Sequence, residues 1–225
     1  MNQELANIIK IYSTGTHPEL SAYLIGKSKD TLVGTLVDLI TMYINDKNSS
    51  TLREFITVTL ADYEHREGKI GYNGFRQDTL LSGKTLKCEA KPKNFDTNSK
   101  SKSPQKLNGA GNFSDYTFAR FERDRSDIGL NMLVSGFVDG KLIYILEFPF
   151  DFPEFTERLE KLLYKRFPKG QDIPGEFLRS ADFHYKHFIN CPELKVVYLL
   201  KKDKLEEYRT CISRDFYAFL EANAK

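Results

Sequence analysis

The sequence predicts an α/β fold in which a mixed β-sheet is flanked by helices. Apolar residues recur at helical spacing through the first 66 residues. Two hairpin patterns follow, at residues 79–88 and 131–148, and the chain then alternates helix, strand and helix. Helices packed on a sheet bury all of these apolar faces together, so we expect one domain spanning residues 1–225.

The composition favours a globular protein and gives no sign of a membrane-spanning segment. Of the 225 residues, 40% are hydrophobic and 28% are charged, which is typical of a globular protein with a sizeable core. No apolar run reaches membrane-spanning length, and the N-terminus lacks the basic start and apolar core of a signal peptide. Three cysteines without a CxxC motif suit free thiols in a reducing compartment. We therefore expect a cytoplasmic protein with no membrane partner.

Three helices are predicted ahead of the first hairpin, at residues 2–12, 29–45 and 51–66. Asp30 is the expected N-cap of the second helix, and Ser49 or Ser50 that of the third. Residues 14–18 contain glycine and proline and are expected to end the first helix.

The first hairpin pattern carries charged residues at its ends. Residues 79–81 and 85–88 form its apolar arms, with Asp78 before the first arm and Glu89 and Lys91 after the second. Glu89 and Lys91 share a face because side chains alternate along a strand, and the neighbouring arm can bring Asp78 beside them. Two carboxylates and an ammonium at a sheet edge can hold a divalent cation and an attacking water.

A lysine-rich loop is predicted at about residues 92–112. Seven lysines face two acids between residues 84 and 106, a net charge of +5 in that window. Such a loop can neutralise DNA backbone charge or can be a solvated surface. The candidate DNA contacts are Lys93, Lys100, Lys102 and Lys106.

Three arginines follow the loop and alternate with acids. Arg120, Arg123 and Arg125 are candidate DNA contacts, because arginine reads guanine with two hydrogen bonds. The alternative is a charged surface in which these residues pair with one another.

The remaining elements are a second hairpin, a helix, a strand and a final helix. The hairpin turns at Asp139-Gly140 between two apolar arms, which predicts buried strands. The helix covers residues 154–167, the strand covers residues 193–200, and Asp203 is the expected cap of a last helix to residue 223.

The spacing around the first hairpin is the most specific motif. Asp78, ten intervening residues and then Glu89-Ala90-Lys91 resemble the PD-(D/E)XK nuclease superfamily, which includes many type II restriction endonucleases. Gln77 stands where the family name has proline. The resemblance implies a restriction-endonuclease-like core in a prokaryotic cytoplasm. It also implies Mg²⁺ held by Asp78, Glu89 and the Ala90 carbonyl, with Lys91 as the third catalytic residue.

Many members of this superfamily add a metal-site glutamate from a preceding helix, and Glu54 and Glu64 are the candidates here. Both lie away from the apolar stripe of the predicted helix, so solvation is the alternative role. Three other acid-x-lysine triplets begin at Glu67, Asp139 and Glu193. Glu193 is the nearest rival because an aspartate precedes it by eleven residues, as Asp78 precedes Glu89.

His184, His187 and Cys191 have a spacing that can suggest zinc, and Asn190 with the histidines can suggest an HNH nuclease. Because the sequence has no second pair of ligands with matching spacing, residues 184–191 are better explained as an aromatic-rich structural segment than as a zinc site or an HNH motif. The sequence has no phosphate-binding loop of the Walker type and no dinucleotide GxGxxG, so no nucleotide cofactor is expected.

The leading hypothesis is a type II site-specific restriction endonuclease that hydrolyses DNA with Mg²⁺ and leaves 5′-phosphate ends. A repair or recombination nuclease of the same fold and a non-catalytic DNA-binding module are the alternatives. The expected partner is double-stranded DNA. A homodimer is expected because twofold symmetry matches a palindromic site.

Overall fold

The computed structural model describes residues 2–45, 50–66, 72–77, 85–99 and 105–225. Four helices precede the sheet within these ranges: α1 (Gln3–Thr14), α2 (His17–Ile25), α3 (Lys29–Asn45) and α4 (Thr51–Leu60). α2 is absent from the sequence prediction and begins with a capping box between Thr16 and Glu19. The predicted cap Asp30 is wrong, because the Ser28 hydroxyl accepts from the N–H of Thr31 at the start of α3.

Eight strands are described: β1 (Glu64–His65), β2 (Gly74–Gln77), β3 (Thr85–Phe95), β4 (Gly111–Tyr116), β5 (Leu130–Val138), β6 (Lys141–Pro149), β7 (Leu178–Phe183) and β8 (Lys195–Leu199). Six of them form one sheet in the order β1-β2-β3-β5-β6-β8. β3 and β5 are parallel, whereas the other described neighbours are antiparallel. The predicted mixed sheet flanked by helices is therefore confirmed.

The first hairpin pairs β2 with β3, although its arms differ from the prediction. Gly74 pairs with Cys88 and Gln77 with Thr85, so the first arm lies before residues 79–81, which are outside the described residues. β3 also continues past Lys91 to Phe95, because residues 87–95 pair in parallel with β5. The predicted loop at residues 92–112 is therefore too long: strand structure ends at Phe95 and resumes at Gly111.

The predicted helix at residues 51–66 also ends early, at Leu60. Asp62 adopts a left-handed conformation with φ of 60°, and β1 then pairs with β2. Residues 64–65 form an edge strand instead of the helix that periodicity predicts, because their backbone groups are paired in the sheet. Glu64, one of the two helix candidates for a metal ligand, consequently lies on β1.

The second hairpin is as predicted. β5 and β6 pair around Asp139 and Gly140, both with positive φ, the geometry of a tight two-residue turn. A second, two-stranded sheet of β4 and β7 is absent from the prediction. It packs with α5 (Phe118–Ser126) and α6 (Pro153–Arg166), and α6 matches the predicted helix at residues 154–167.

The predicted final helix from Asp203 is divided. α7 (Lys202–Glu206) and α8 (Arg214–Asn223) are separated by an extended residue, Ile212, that bridges to Leu107. The N–H of Leu107 donates to the Cys211 carbonyl, and the N–H of Ser213 donates to the Leu107 carbonyl. These hydrogen bonds to a distant segment of the same chain replace the hydrogen bonds of a continuous helix. None of the helices in the described ranges is long and apolar enough to span a bilayer.

The main sheet separates two apolar layers. One contains α1 and α4; the other is rich in phenylalanine and contains α5, α6, α8 and the small sheet. On β3, Cys88 and Ala90 point into the α4 layer. Glu89 and Lys91, which alternate with them, therefore face the aromatic layer.

Candidate active site

A row of charged side chains lies along one face of β3, at Lys87, Glu89, Lys91 and Lys93. At the centre of this row, Nζ of Lys91 is 2.6 Å from Oε1 of Glu89. Glu89 is 7% exposed, and Lys91 is half-buried. The structure thus places the acid and the base of the motif in direct contact on an interior strand.

Backbone and packing contacts hold this part of β3 in place from the opposite face. The N–H of Ala90 donates to Oδ1 of Asn73 at 2.8 Å, and Nδ2 of Asn73 donates to Glu54 at 3.3 Å. Ala90 is buried with Val58 and Ala61, in or just after α4. A small residue between the acid and the base therefore lets α4 approach the strand.

An aromatic ring packs against the ammonium group of Lys91. Nζ of Lys91 lies 4.5 Å from the ring centroid of Phe113 on β4. Gly111, also on β4, allows this approach: a Cβ there would lie 2.9 Å from Cβ of Lys91. The contact is a cation–π interaction, which limits the rotamers of the lysine.

Arg120 joins the site from α5. Its Nη2 lies 3.4 Å from Oε1 of Glu89, and its guanidinium lies 5.5 Å and 5.4 Å from the rings of Phe113 and Tyr116. The sequence proposed that Arg120 reads bases. In the structure it instead contacts the candidate catalytic glutamate.

Asp124 is a site residue that the sequence analysis missed. It is 3% exposed, with Nη2 of Arg123 at 2.7 Å from Oδ1 and Nε of Arg120 at 3.6 Å from Oδ2. Burial raises the pKa of Asp124, the two arginines oppose that rise, and the charge of Glu89 adds to it. A signal was present: Asp124 follows the buried Phe118 and Phe121 at three-residue spacing, which places it on the inward face of α5.

Asp78, the first acid of the motif, lies outside the described residues. The preceding residue, Gln77, pairs with Thr85, four residues before Glu89. Four residues of extended strand span about 13 Å. Asp78 and Glu89 can share a cation only if the chain after Gln77 returns along β3 by most of that distance.

Two of the candidate DNA-contacting lysines lie at one cleft near the end of β3. Lys93 and Lys106 line a cleft of about 320 Å³ that also includes Asn94 and Asn108. Burial lowers the pKa of Lys93, and the charge of Lys91 lowers it further. Lys106 is exposed. Lys100 and Lys102 lie outside the described residues.

The other two arginines of α5 pair with acids other than Glu89. Arg123 pairs with Asp124, and Nη1 of Arg125 lies 3.8 Å from Oε1 of Glu160 on α6. Both side chains are about half exposed, so a phosphate can compete for them. The pattern agrees with a self-paired surface, and base contact by these two arginines stays a prediction.

The helix glutamates lie apart from the motif. Glu54 is on α4, on the face of the sheet opposite Glu89, and contacts Asn73. Glu64 is exposed on β1. A third acid, Glu147, is buried on the α4 side, where Tyr63 donates to it at 2.7 Å and Arg76 at 3.2 Å. The structure does not bring these acids to Glu89.

The rival motif is divided between two sheets. Asp182 is on β7 and pairs with Arg158, whereas the exposed Glu193 precedes β8. His184 and His187 contact each other with ring centroids 4.2 Å apart. Among the described residues, no group of three or more histidine, cysteine or acidic side chains is placed to hold a metal ion.

The donor set around Glu89 nevertheless suits a hard cation. Glu89 and Asp124 supply carboxylate oxygens, the ligand type that Mg²⁺ prefers, and Mg²⁺ is commonly bound by one or two carboxylates completed by water and phosphate. Comparison with known proteins shows no match to any protein-family model and no significantly similar curated protein. The functional conclusion therefore depends on the chemistry of this site.

Proposed function

We propose that the chain is a Mg²⁺-dependent endodeoxyribonuclease of the type II restriction class that acts on double-stranded DNA. The observation that supports it is the Glu89–Lys91 pair, with 2.6 Å between acid and ammonium on an interior strand. Arg120 lies beside the pair, and the lysine-lined cleft begins at Lys93, two residues beyond Lys91. An acid, a base and an adjacent cationic cleft are what phosphodiester hydrolysis requires.

The cation would be held by Glu89 and, as the resemblance implies, by Asp78 and the Ala90 carbonyl. Bound Mg²⁺ supplies positive charge that polarises a phosphate and acidifies a water. Lys91 has three N–H donors and a rotamer limited by Phe113, so it is suited to orient the attacking water or to stabilise charge on a phosphate oxygen. As the resemblance implies, water would attack phosphorus opposite the P–O3′ bond, and the 3′ oxygen would leave and take up a proton, which gives a 5′-phosphate and a 3′-hydroxyl.

Alanine substitution of the acids tests this assignment. We expect Glu89→Ala and Asp78→Ala to abolish cleavage of defined plasmid DNA in Mg²⁺ while leaving DNA binding largely intact. Glu193→Ala, in the rival triplet, serves as the matched control and should cleave normally. Sequencing of the product ends then reveals whether cutting is site-specific. Cleavage by Glu89→Ala at a near wild-type rate would exclude the proposed site.

A non-catalytic DNA-binding module is the second candidate. It is favoured by one observation: Glu89 already contacts two cationic groups, which is also the arrangement of a structural ion pair. Tight DNA binding without cleavage in Mg²⁺ or Mn²⁺ would support the module. Cleavage without fixed ends would instead support a repair or recombination nuclease.

We further propose that the chain acts as a homodimer on DNA. A twofold dimer presents one Glu89–Lys91 site to each strand of a palindromic duplex, so both strands are cut in one complex. Sedimentation with a single-site oligonucleotide tests this. One chain per duplex, with nicked DNA accumulating before linear product, would contradict the dimer.

A further inference from the structure

We propose that Asp124 is a carboxylate ligand of the divalent cation, acting together with Glu89 in the space that the Arg120 guanidinium bridges. This rests on the nuclease function proposed above and adds a residue outside the Asp78–Lys91 motif. Asp124 comes from α5, after the crossover that follows β3, so the sequence motif does not contain it.

The two carboxylates converge in a place where neither is well solvated. Asp124 is 3% exposed and Glu89 is 7% exposed. They are close together, because the guanidinium of Arg120 lies 3.4 Å from Oε1 of Glu89 and 3.6 Å from Oδ2 of Asp124. Two acids that repel each other in a site of low solvation are stabilised by a cation between them. In the structure Lys91, Arg120 and Arg123 supply that positive charge, and Arg120 is the one that contacts both acids.

A buried hydroxyl gives independent support. Tyr116 is 0% exposed, and its hydroxyl has no hydrogen-bond partner within the described part of the chain. Asp124 and Glu89 both act on this hydroxyl electrostatically, and the Arg120 guanidinium lies over the ring. A buried phenol normally has a partner. A water bound to a cation between the two acids would supply one.

Arg120 marks the position that the cation would take. Its Nη2 is 3.4 Å from Glu89 and its Nε is 3.6 Å from Asp124, so one guanidinium bridges the two carboxylates. Both distances are longer than those of a close charge-assisted hydrogen bond. A divalent cation brings twice the charge and competes with Arg120 for the same oxygens. Binding of the cation would free the guanidinium to contact a DNA phosphate.

Metal titration without DNA tests the proposal through variants with effects of opposite sign. Calorimetry with Mn²⁺ should show that Asp124→Asn binds about 10- to 100-fold more weakly than wild type. Arg120→Gln should bind about tenfold more tightly, because it removes a competing positive charge. Asp127→Asn, next to the same helix, is the matched control and should leave the Mn²⁺ affinity unchanged. Far-ultraviolet circular dichroism checks that each variant is folded.

Unchanged Mn²⁺ affinity in folded Asp124→Asn would overturn the proposal. If that variant does not fold, Arg120→Gln decides: tighter binding supports the shared site, and unchanged or weaker binding overturns it. DNA cleavage by wild type with normal Mn²⁺ binding by Asp124→Asn refutes this inference alone. Mn²⁺ binding that follows the expected pattern without any DNA cleavage refutes the nuclease function and leaves the cation site standing.

Discussion

Substituting alanine for Gly111 should destabilise the fold at the point where β4 meets the candidate site. A Cβ at this position would lie 2.4 Å from Cζ of Phe183 and 2.9 Å from Cβ of Lys91. Phe183 is buried, with the ring of Phe155 at a centroid distance of 4.9 Å, so its ring has little room to move aside. The substitution therefore forces the two strands or the ring to shift.

The expected loss follows from two opposing effects. Overpacking a well-filled core costs about 1–3 kcal/mol, whereas replacing glycine by alanine restricts the unfolded chain and returns about 0.4–1 kcal/mol. We expect a net loss of about 1–2 kcal/mol in the free energy of unfolding. For a chain of this size, the midpoint of thermal unfolding should fall by about 2–8 °C.

Urea unfolding followed by circular dichroism at 222 nm measures this loss, since the chain has no tryptophan for fluorescence. Gly34→Ala is the matched control. Among the described residues, apart from the adjacent residues and the backbone of α3 itself, no atom lies within 4 Å of a Cβ at Gly34, so this change should stabilise by about 0.5–1 kcal/mol. Combining Gly111→Ala with Phe183→Leu should destabilise by less than the sum of the two changes. Simple additivity, or a Gly111→Ala variant as stable as wild type, would refute the predicted clash.

Two further predictions concern charge. Replacing Lys93 and Lys106 by glutamine should weaken DNA binding and reduce the slope of log affinity against log salt by about two, since each phosphate contact contributes about 0.9. The control is Lys161→Gln, at an exposed position on α6, which should leave the slope unchanged. The folded state favours neutral His187, because burial and then the neighbouring His184 and Arg158 lower its pKa below 6.5. The unfolded chain takes up that proton first as the pH falls, so stability is lost below about pH 6.5, and His187→Gln should flatten the fall in melting temperature between pH 6.5 and 5. A melting temperature that falls equally in both proteins would argue against this role of His187.

The parts of the fold that the sequence predicted are those in which periodicity and turn chemistry agree. The hairpin at Asp139-Gly140 combines two apolar arms with a turn that requires positive φ, and it has the predicted form. The helix predicted at residues 51–66 fails because apolar spacing continues past Leu60 although the backbone of β1 pairs with β2. Pairing of this kind depends on residues distant in sequence, so periodicity does not reveal it.

In the candidate site, too, the sequence predicts what local pattern specifies and misses what depends on contacts between distant residues. Alternation along a strand is a local property, so the shared face of Glu89 and Lys91 could be expected from the sequence. The placement of Asp124 beside that pair, through Arg120, depends on how α5 lies against the sheet, which no local pattern specifies. The sequence predicts Arg120 as a candidate DNA contact but does not indicate its partner Glu89, which lies 31 residues away.

The single parallel contact described in the main sheet affects the order in which the chain can fold. β5 and β6 are joined by a turn of two residues, whereas 34 residues separate β3 from its parallel neighbour β5. Closing the longer connection costs about 2–3 kcal/mol more chain entropy. The local hairpin can therefore form early, and the strand that carries Glu89 and Lys91 docks onto it later. Until that docking, Glu89 and Asp124 are separate solvated carboxylates, and a cation binds them together only once the topology is complete.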